Sequence, residues 1–279
     1  WWPFFYEFFE KYPDRCINVG IAEQNMIGIA AGLALEGKKV YCYSIVPFIT
    51  MRAYEQVRVD ICSHNLDVTL IGIWWGFAYG TLWNTHYGIE DINVMRWLPN
   101  MQIFCPIDKI EMLAGLEYLE KNRWPTYIRL NRWGEPDVLS EDQDIDISSG
   151  VPILESGHDI ILLSTGRIGT TAKEVAMRLQ DEGKWVSLYS IPLIKPINKE
   201  ILRSYIKQSQ AVFTIEEHTI YGGLGSAVAE IIAESWMRVR FRRIGIDDSF
   251  FYIAGDQEYM KKVAGLDVES IYRTINQYL

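Results

Sequence analysis

Short runs of consecutive apolar residues alternate with longer segments whose apolar positions recur at helical spacing. Residues 17–36 (INVGIAEQNMIGIAAGLALE) carry small and apolar residues at that spacing and close at Gly37-Lys38-Lys39. Val40 to Val46 is a short β-rich run. Residues 51–64 read as an amphipathic helix and 68–73 (VTLIGI) as a buried strand. The pattern then predicts a helix over 89–98, a strand over 101–105, a helix over 109–119 and a strand over 126–130. Apolar strands alternating with helices indicate a parallel sheet covered on both faces.

Residues 134–157 break the rhythm. The string GEPDVLSEDQDIDISSG is acidic and turn-rich, and it reads as a linker. Strands at 159–164, 185–191, 211–216 and 238–245 follow, with helices at 169–182, 198–208 and 223–236 and a helical tail to Leu279. The reading is α/β with two domains, each a mainly parallel sheet flanked by helices: 1–135, a linker over 136–150, and 151–279.

Composition narrows the function classes. The 279 residues are 49% hydrophobic, enough to exclude disorder, and their net charge of −9 disfavours nucleic acid as a partner. No apolar run approaches the ~18 residues of a membrane span. Cys16, Cys42, Cys62 and Cys105 are scattered, without metal-ligand spacing, which suits a reducing, cytoplasmic setting. The chain opens Trp1-Trp2-Pro3-Phe4-Phe5 with no charged region ahead of it, unlike a signal peptide, and the expectation is that sequence upstream is missing.

Glu23 lies among small and apolar residues, where a carboxylate is costly to bury without a partner. It reads either as a helix-start glutamate facing solvent or as a buried acid kept for proton chemistry. His86 sits in a polar loop after the strand 68–73, at the end of a parallel sheet where ligands bind. A lone loop histidine is also a common surface residue. Arg132 follows the strand 126–130 and suits either a surface ion pair or a clamp for phosphate or carboxylate. Arg129 competes for that role from inside the strand pattern. The glycine-rich string 216–230 could hold an anion at a helix start, although tight helix packing is the commoner use of such glycines. Neither GxSxG nor HExxH occurs, so a hydrolase reading has no support.

Five strings together carry a resemblance. PDRCINVGIAEQNMIGIAAGLA (13–34), VPFITMRAYEQVRVDI (46–61), THYGIEDINVMRWLPNMQIFCP (85–106), PTYIRLNR (125–132) and IEEHTIYGGLGSAVAE (215–230) occur in the order found in transketolases and deoxyxylulose-phosphate synthases. The chain resembles the C-terminal subunit of a split transketolase, pairing a pyrimidine-binding domain with a transketolase C-terminal domain. The resemblance implies thiamine diphosphate and Mg²⁺ as cofactors. It also implies that the diphosphate is bound through a GDG motif supplied by a partner, the N-terminal subunit, or by sequence upstream of this chain. This chain has no GDG; its only Gly-Asp pair, Gly255-Asp256, is followed by Gln257. An α2β2 heterotetramer with the active site at a subunit interface is the implied assembly.

By the same resemblance, Glu23 hydrogen-bonds the cofactor's aminopyrimidine. Phe48 stacks on that ring, and Arg52 lies near it or on the helix surface. His86 contacts substrate hydroxyls and assists proton transfer, and Arg132 binds a substrate phosphate. Relatives read G-E-D-G-P-T-H where this chain has Gly80 to His86, so Leu82 replaces an aspartate and Trp83 a glycine. The lost carboxylate implies a non-standard sugar, and the added bulk of Trp83 with Trp74, Trp75 and Phe77 upstream reads either as stacking on a sugar or a base or as packing at a subunit interface. The N-terminal aromatic cluster is expected against the partner subunit. The implied reaction moves a two-carbon ketol unit between sugars. The alternatives are a 2-oxo acid decarboxylating carboligase and a non-catalytic scaffold subunit.

Overall fold

The computed structural model describes residues 6–131 and 137–279. The first half builds strands β1 (Val40–Ile45), β2 (Val68–Ile73), β3 (Gln102–Phe104) and β4 (Thr126–Leu130), all parallel, in the order β1-β2-β4-β3. Its helices are α1 (Tyr6–Lys11), α2 (Glu23–Leu35), α3 (Tyr54–Gln56), α4 (Asp91–Arg96) and α5 (Lys109–Lys121). Helix α2 begins later than the periodicity predicts. Gly20 takes φ +73, and its N–H donates to Asn18 Oδ1, so the chain turns before it coils. The segment expected as one helix over 51–64 is α3 flanked by π-turns at Phe48–Arg52 and Val57–Cys62.

The second half builds β5 (Val151–Glu155), β6 (Ile160–Ser164), α6 (Ile168–Asp181), β7 (Val186–Ser190), β8 (Leu193–Lys195) and α7 (Lys199–Lys207). β9 (Ala211–Thr219), α8 (Leu224–Glu234), β10 (Arg240–Ile246), α9 (Gln257–Val263) and α10 (Val268–Tyr278) complete it. The second sheet runs β10-β9-β6-β7-β5, parallel except for β5. Strand β5 lies inside the stretch 134–157 that reads as linker, because its residues are flanked by turn formers that mask a short apolar run. The acidic stretch before β5 is also anchored. Asp108 caps α5 through the N–H groups of Ile110 and Glu111, and its second oxygen accepts from Val138 and Leu139.

Strand β8 was not legible in the pattern. It crosses to the first sheet and pairs antiparallel with β3, Phe104 opposite Leu193. The core crosses with it. In β6, Ile161 and Leu163 face a cluster that includes Ile27, Ile61 and Leu70 of the first half. Ile160 and Leu162, on the alternate face, join Val175 of α6 and Ile271 of α10. No helix among the described residues is long and apolar enough to cross a membrane.

One buried ion pair of the first half meets the second half at the C-terminal ends of the first sheet's strands. Arg129 of β4 donates from Nε to Asp91 Oδ2 at 2.7 Å and from Nη2 to Asp91 Oδ1 at 3.0 Å. Nη2 also donates to the carbonyls of Gly88 at 2.8 Å and Glu217 at 3.1 Å. Tyr127 donates to Asp91 Oδ2 at 2.6 Å, and the Trp75 ring lies 4.6 Å from the guanidinium carbon. Glu217 of β9 accepts from Phe77 N–H at 2.7 Å and from Gln257. His218 follows, its Nδ1–H directed at Thr219 O and its Nε2 accepting from Asn93 N–H. Burial pushes that imidazole down to about 4, so it is neutral at physiological pH.

Removing one member of such a pair leaves the other charge buried and unmatched. Arg129→Met should lower unfolding stability by about 3–5 kcal/mol, read from a urea midpoint. A loss under 1 kcal/mol would show that the buried pair is not a major support of the fold. Glu111 gives a pH signature. It is fully buried, accepts from Ile107 N–H, and burial pushes its carboxyl from 4.5 up to about 8. Because its folded pKa is raised, its contribution is complete below pH 4.5 and is lost as pH rises through 8. Wild-type stability should therefore fall between those limits by up to ~1.4 kcal/mol per pH unit relative to Glu111→Gln. Parallel pH profiles for the two proteins would refute this.

Candidate active site

The carboxyl ends of β1 and β2 open onto a cluster of four of the residues singled out above. Glu23 enters from the first turn of α2 and is buried. Ser44, near the end of β1, directs its hydroxyl at Glu23 Oε1 at 3.3 Å. Phe48 and Arg52 lie at the two ends of the π-turn that follows β1. Arg52 Nη1 donates to Glu23 Oε2 at 2.8 Å, and its guanidinium carbon sits 4.1 Å from the centre of the Phe48 ring. The side chains are 45% and 8% exposed for arginine and glutamate, so the pair spans the edge between core and solvent. Widened helical turns of this kind are frequent at functional sites.

His86 comes in from the loop after β2. Its ring centre is 5.3 Å from that of Phe48, edge to face, and Thr85 Oγ1 lies 2.9 Å from its Nδ1. Tyr79 stands 5.8 Å behind His86, and Trp74 packs on Tyr79 at 3.8 Å. Phe48, His86, Tyr79 and Trp74 thus form a continuous aromatic wall beside the buried carboxylate. The loop is fixed at its base. Gly76 and Gly88 exchange two backbone hydrogen bonds, and Gly76 takes φ +59 against Glu217 Oε1. A Cβ at Gly76 would meet that oxygen at 2.2 Å, so only glycine fits. Trp74 and Trp83 hold φ +61 and +72, a region that bulky residues enter only under constraint.

The aromatic bulk of residues 74–83 divides into two roles. Trp75 and Phe77 are buried, under Arg129 and against Phe251 respectively, and hold the halves together. Trp74 and Tyr79 pack in one cluster with Phe48 beside the site, while Leu82 and Trp83 are each 44% exposed.

Arg129 belongs to the buried pair with Asp91 and is 1% exposed. Arg132 and the aromatic cluster 1–5 lie outside the described residues. The glycine-rich helix start at 223–225 does bind an anion, but that anion is the chain's own Glu216. Its carboxylate accepts from Leu224 and Gly225 N–H at 2.8 Å each. Burial still pushes this carboxyl up to about 7. Ser44 and Tyr79 were missed by sequence reasoning, because a strand serine and one tyrosine among many give no pattern. Asp91 had a signal: an acid opening an otherwise apolar helix behind GIE.

The cluster joins a buried carboxylate acceptor to an aromatic face, both now engaged by one flat N–H donor. That combination suits a planar heteroaromatic ring bearing N–H groups.

Residues 4–133 match the model of the transketolase pyrimidine-binding domain, and 149–271 that of the transketolase C-terminal domain. The chain is 39% identical over 264 residues to one of the subunits of the apulose-4-phosphate transketolase of Actinobacillus succinogenes, covering 95% of this chain and 85% of that protein. It is 33% identical over 271 residues to the 6-deoxy-6-sulfo-D-fructose transketolase subunit SqwH of Clostridium sp. (strain MSTE9), covering 97% and 83%. A solved split-gene transketolase, described as an inactive β4 tetramer, superposes with a TM-score of 0.88 at 33% identity, covering all of this chain and 89% of that one. The family implies dependence on thiamine diphosphate. The chain belongs to the transketolase family, and its two domains match along nearly their whole length a single subunit of the split members.

Proposed function

We propose that this chain is the C-terminal subunit of a two-subunit, thiamine diphosphate-dependent transketolase that moves a two-carbon ketol unit between non-standard sugars. The observation that carries the reading is the convergence of Glu23, Phe48 and His86 on one solvent-accessible edge. Residues 1–135 act as the pyrimidine-binding domain, 136–150 as the linker and 151–279 as the C-terminal domain. The N-terminal subunit holds the diphosphate and Mg²⁺, in an α2β2 heterotetramer in the cytoplasm.

Bound thiamine diphosphate supplies a nucleophilic carbon and an electron sink for cleaving a ketose carbon–carbon bond. This chain's residues do the rest. Glu23 holds a hydrogen bond, and the proton in it, at a pyrimidine ring nitrogen. Ser44 keeps that carboxylate aimed, and Phe48 covers the ring face. His86, seated between Phe48 and Tyr79, moves a proton at the substrate's hydroxyl. Arg132 orients a substrate phosphate.

Leu82 and the Trp74–Tyr79 wall offer no carboxylate to read a donor hydroxyl, which favours a sugar other than the common pentose phosphates. Relatives named for apulose 4-phosphate and for 6-deoxy-6-sulfo-D-fructose support that direction. A scaffold subunit would have no use for a buried carboxylate at this edge.

Glu23→Gln in the purified two-subunit complex should lower turnover by about 10²–10⁴-fold with an unchanged circular dichroism spectrum. Near-normal turnover would remove the proton-holding role. Ketose-phosphate donors should support turnover where pyruvate does not; the reverse result would identify a decarboxylating carboligase. Arg132→Ala should raise KM for a phosphorylated substrate more than it lowers kcat. An unchanged KM would end the phosphate assignment.

A further inference from the structure

Arg52 makes the two contacts that the proposed cofactor ring needs. Its guanidinium donates to Glu23 Oε2 at 2.8 Å and lies 4.1 Å from the Phe48 ring centre. A guanidinium is flat, rich in N–H donors and stacks on aromatic faces. An aminopyrimidine has the same three properties. Two flat groups cannot lie on the same face of one ring at once, and both compete for the same carboxylate.

We infer that Arg52 is a placeholder that fills the pyrimidine half-site of the cofactor-free protein and must swing out before the cofactor can dock. This rests on the reading of Glu23 and Phe48 given above.

The asymmetry of burial decides which partner moves. The Glu23 side chain is 8% exposed, tied to the start of α2 and aimed by Ser44. The Arg52 side chain is 45% exposed, so its charge can move into water without a large desolvation penalty. The placeholder also serves the cofactor-free protein. A buried carboxylate with no partner is unfavourable, and Arg52 matches it until the ring arrives. Once Arg52 leaves, the Ser44 contact keeps Glu23 Oε1 in position while Oε2 becomes free to accept.

Apparent affinity is reduced by the fraction of sites open for binding. A placeholder seated about nine-tenths of the time weakens cofactor binding about tenfold. The test is calorimetric titration of thiamine diphosphate, with Mg²⁺ present, into the assembled two-subunit complex. Arg52→Ala should bind about tenfold tighter than wild type. Arg52→Lys keeps the charge but loses the flat stacking plate, and should fall between the two. Equal or weaker binding by Arg52→Ala, alongside measurable wild-type binding, would overturn the inference and make Arg52 an ordinary cofactor contact. A structure of the loaded complex with Arg52 still bonded to Glu23 would overturn it equally. If neither wild type nor Arg52→Ala binds the cofactor, the functional reading falls and the placeholder with it.

Discussion

The Arg129–Asp91 pair is the interaction on which the rest of the molecule depends. A guanidinium and a carboxylate are both buried here, which is tolerable because Asp91 accepts three hydrogen bonds and the arginine's Nε and Nη2 are matched, while Nη1 has no partner among the described residues and the Trp75 ring lies against the guanidinium. The matching groups come from four separate places: β4, the start of α4, the loop closing at Gly88, and β9 of the second half. Three of those places lie in the first half, and the Glu217 carbonyl completes the set from the second. That contact helps join two α/β units linked by an acidic segment, and the pairing of β8 with β3 reinforces the joint.

That joint is also what builds the candidate site. The loop 74–88 has few residues that would fold on their own. Its base is fixed by Gly76 against Glu217, by Trp75 under Arg129 and by Phe77 in the second half's core. With the base fixed, Tyr79 and His86 are carried to Phe48, across the strand ends from Glu23. The C-terminal half contributes none of those side chains, yet it determines where the loop stands. Its Glu216 fills the helix start that an outside anion could otherwise take, so its glycine-rich string serves packing and capping instead of binding.

The sequence made the parallel sheets legible because strands buried on both faces read as plain apolar runs, as IILLS at 160–164 does. Glu23 was legible because a carboxylate among small apolar residues violates the local pattern. What could not be read depended on partners distant in the chain. β8 has three residues and gains strand character only by pairing with β3. β5 hides behind turn formers. Arg129 looked like a candidate for ligand binding because residue type alone cannot distinguish a buried structural cation from a reactive one; its partner Asp91 lies 38 residues away. The functional meaning of Glu23, Phe48, Arg52 and His86 came from the resemblance, and their meeting point from the fold.

Two arginine–carboxylate pairs in this chain have similar bond lengths, 2.7 Å and 2.8 Å, and opposite mechanical characters. In the Arg129 pair both side chains are buried, so separating them strands a charge in a region of low dielectric, a penalty of several kcal/mol. In the Arg52 pair the arginine already reaches water, so only Glu23 is left short of a partner when the pair opens, with the Ser44 contact still in place. Bond length does not distinguish a rivet from a latch; the exposure of the partner that must move does. A molecule that assembles a site at its edge needs both kinds. The buried pair keeps the loop and strand ends from drifting, and the half-exposed pair lets the carboxylate change partners without disturbing that frame.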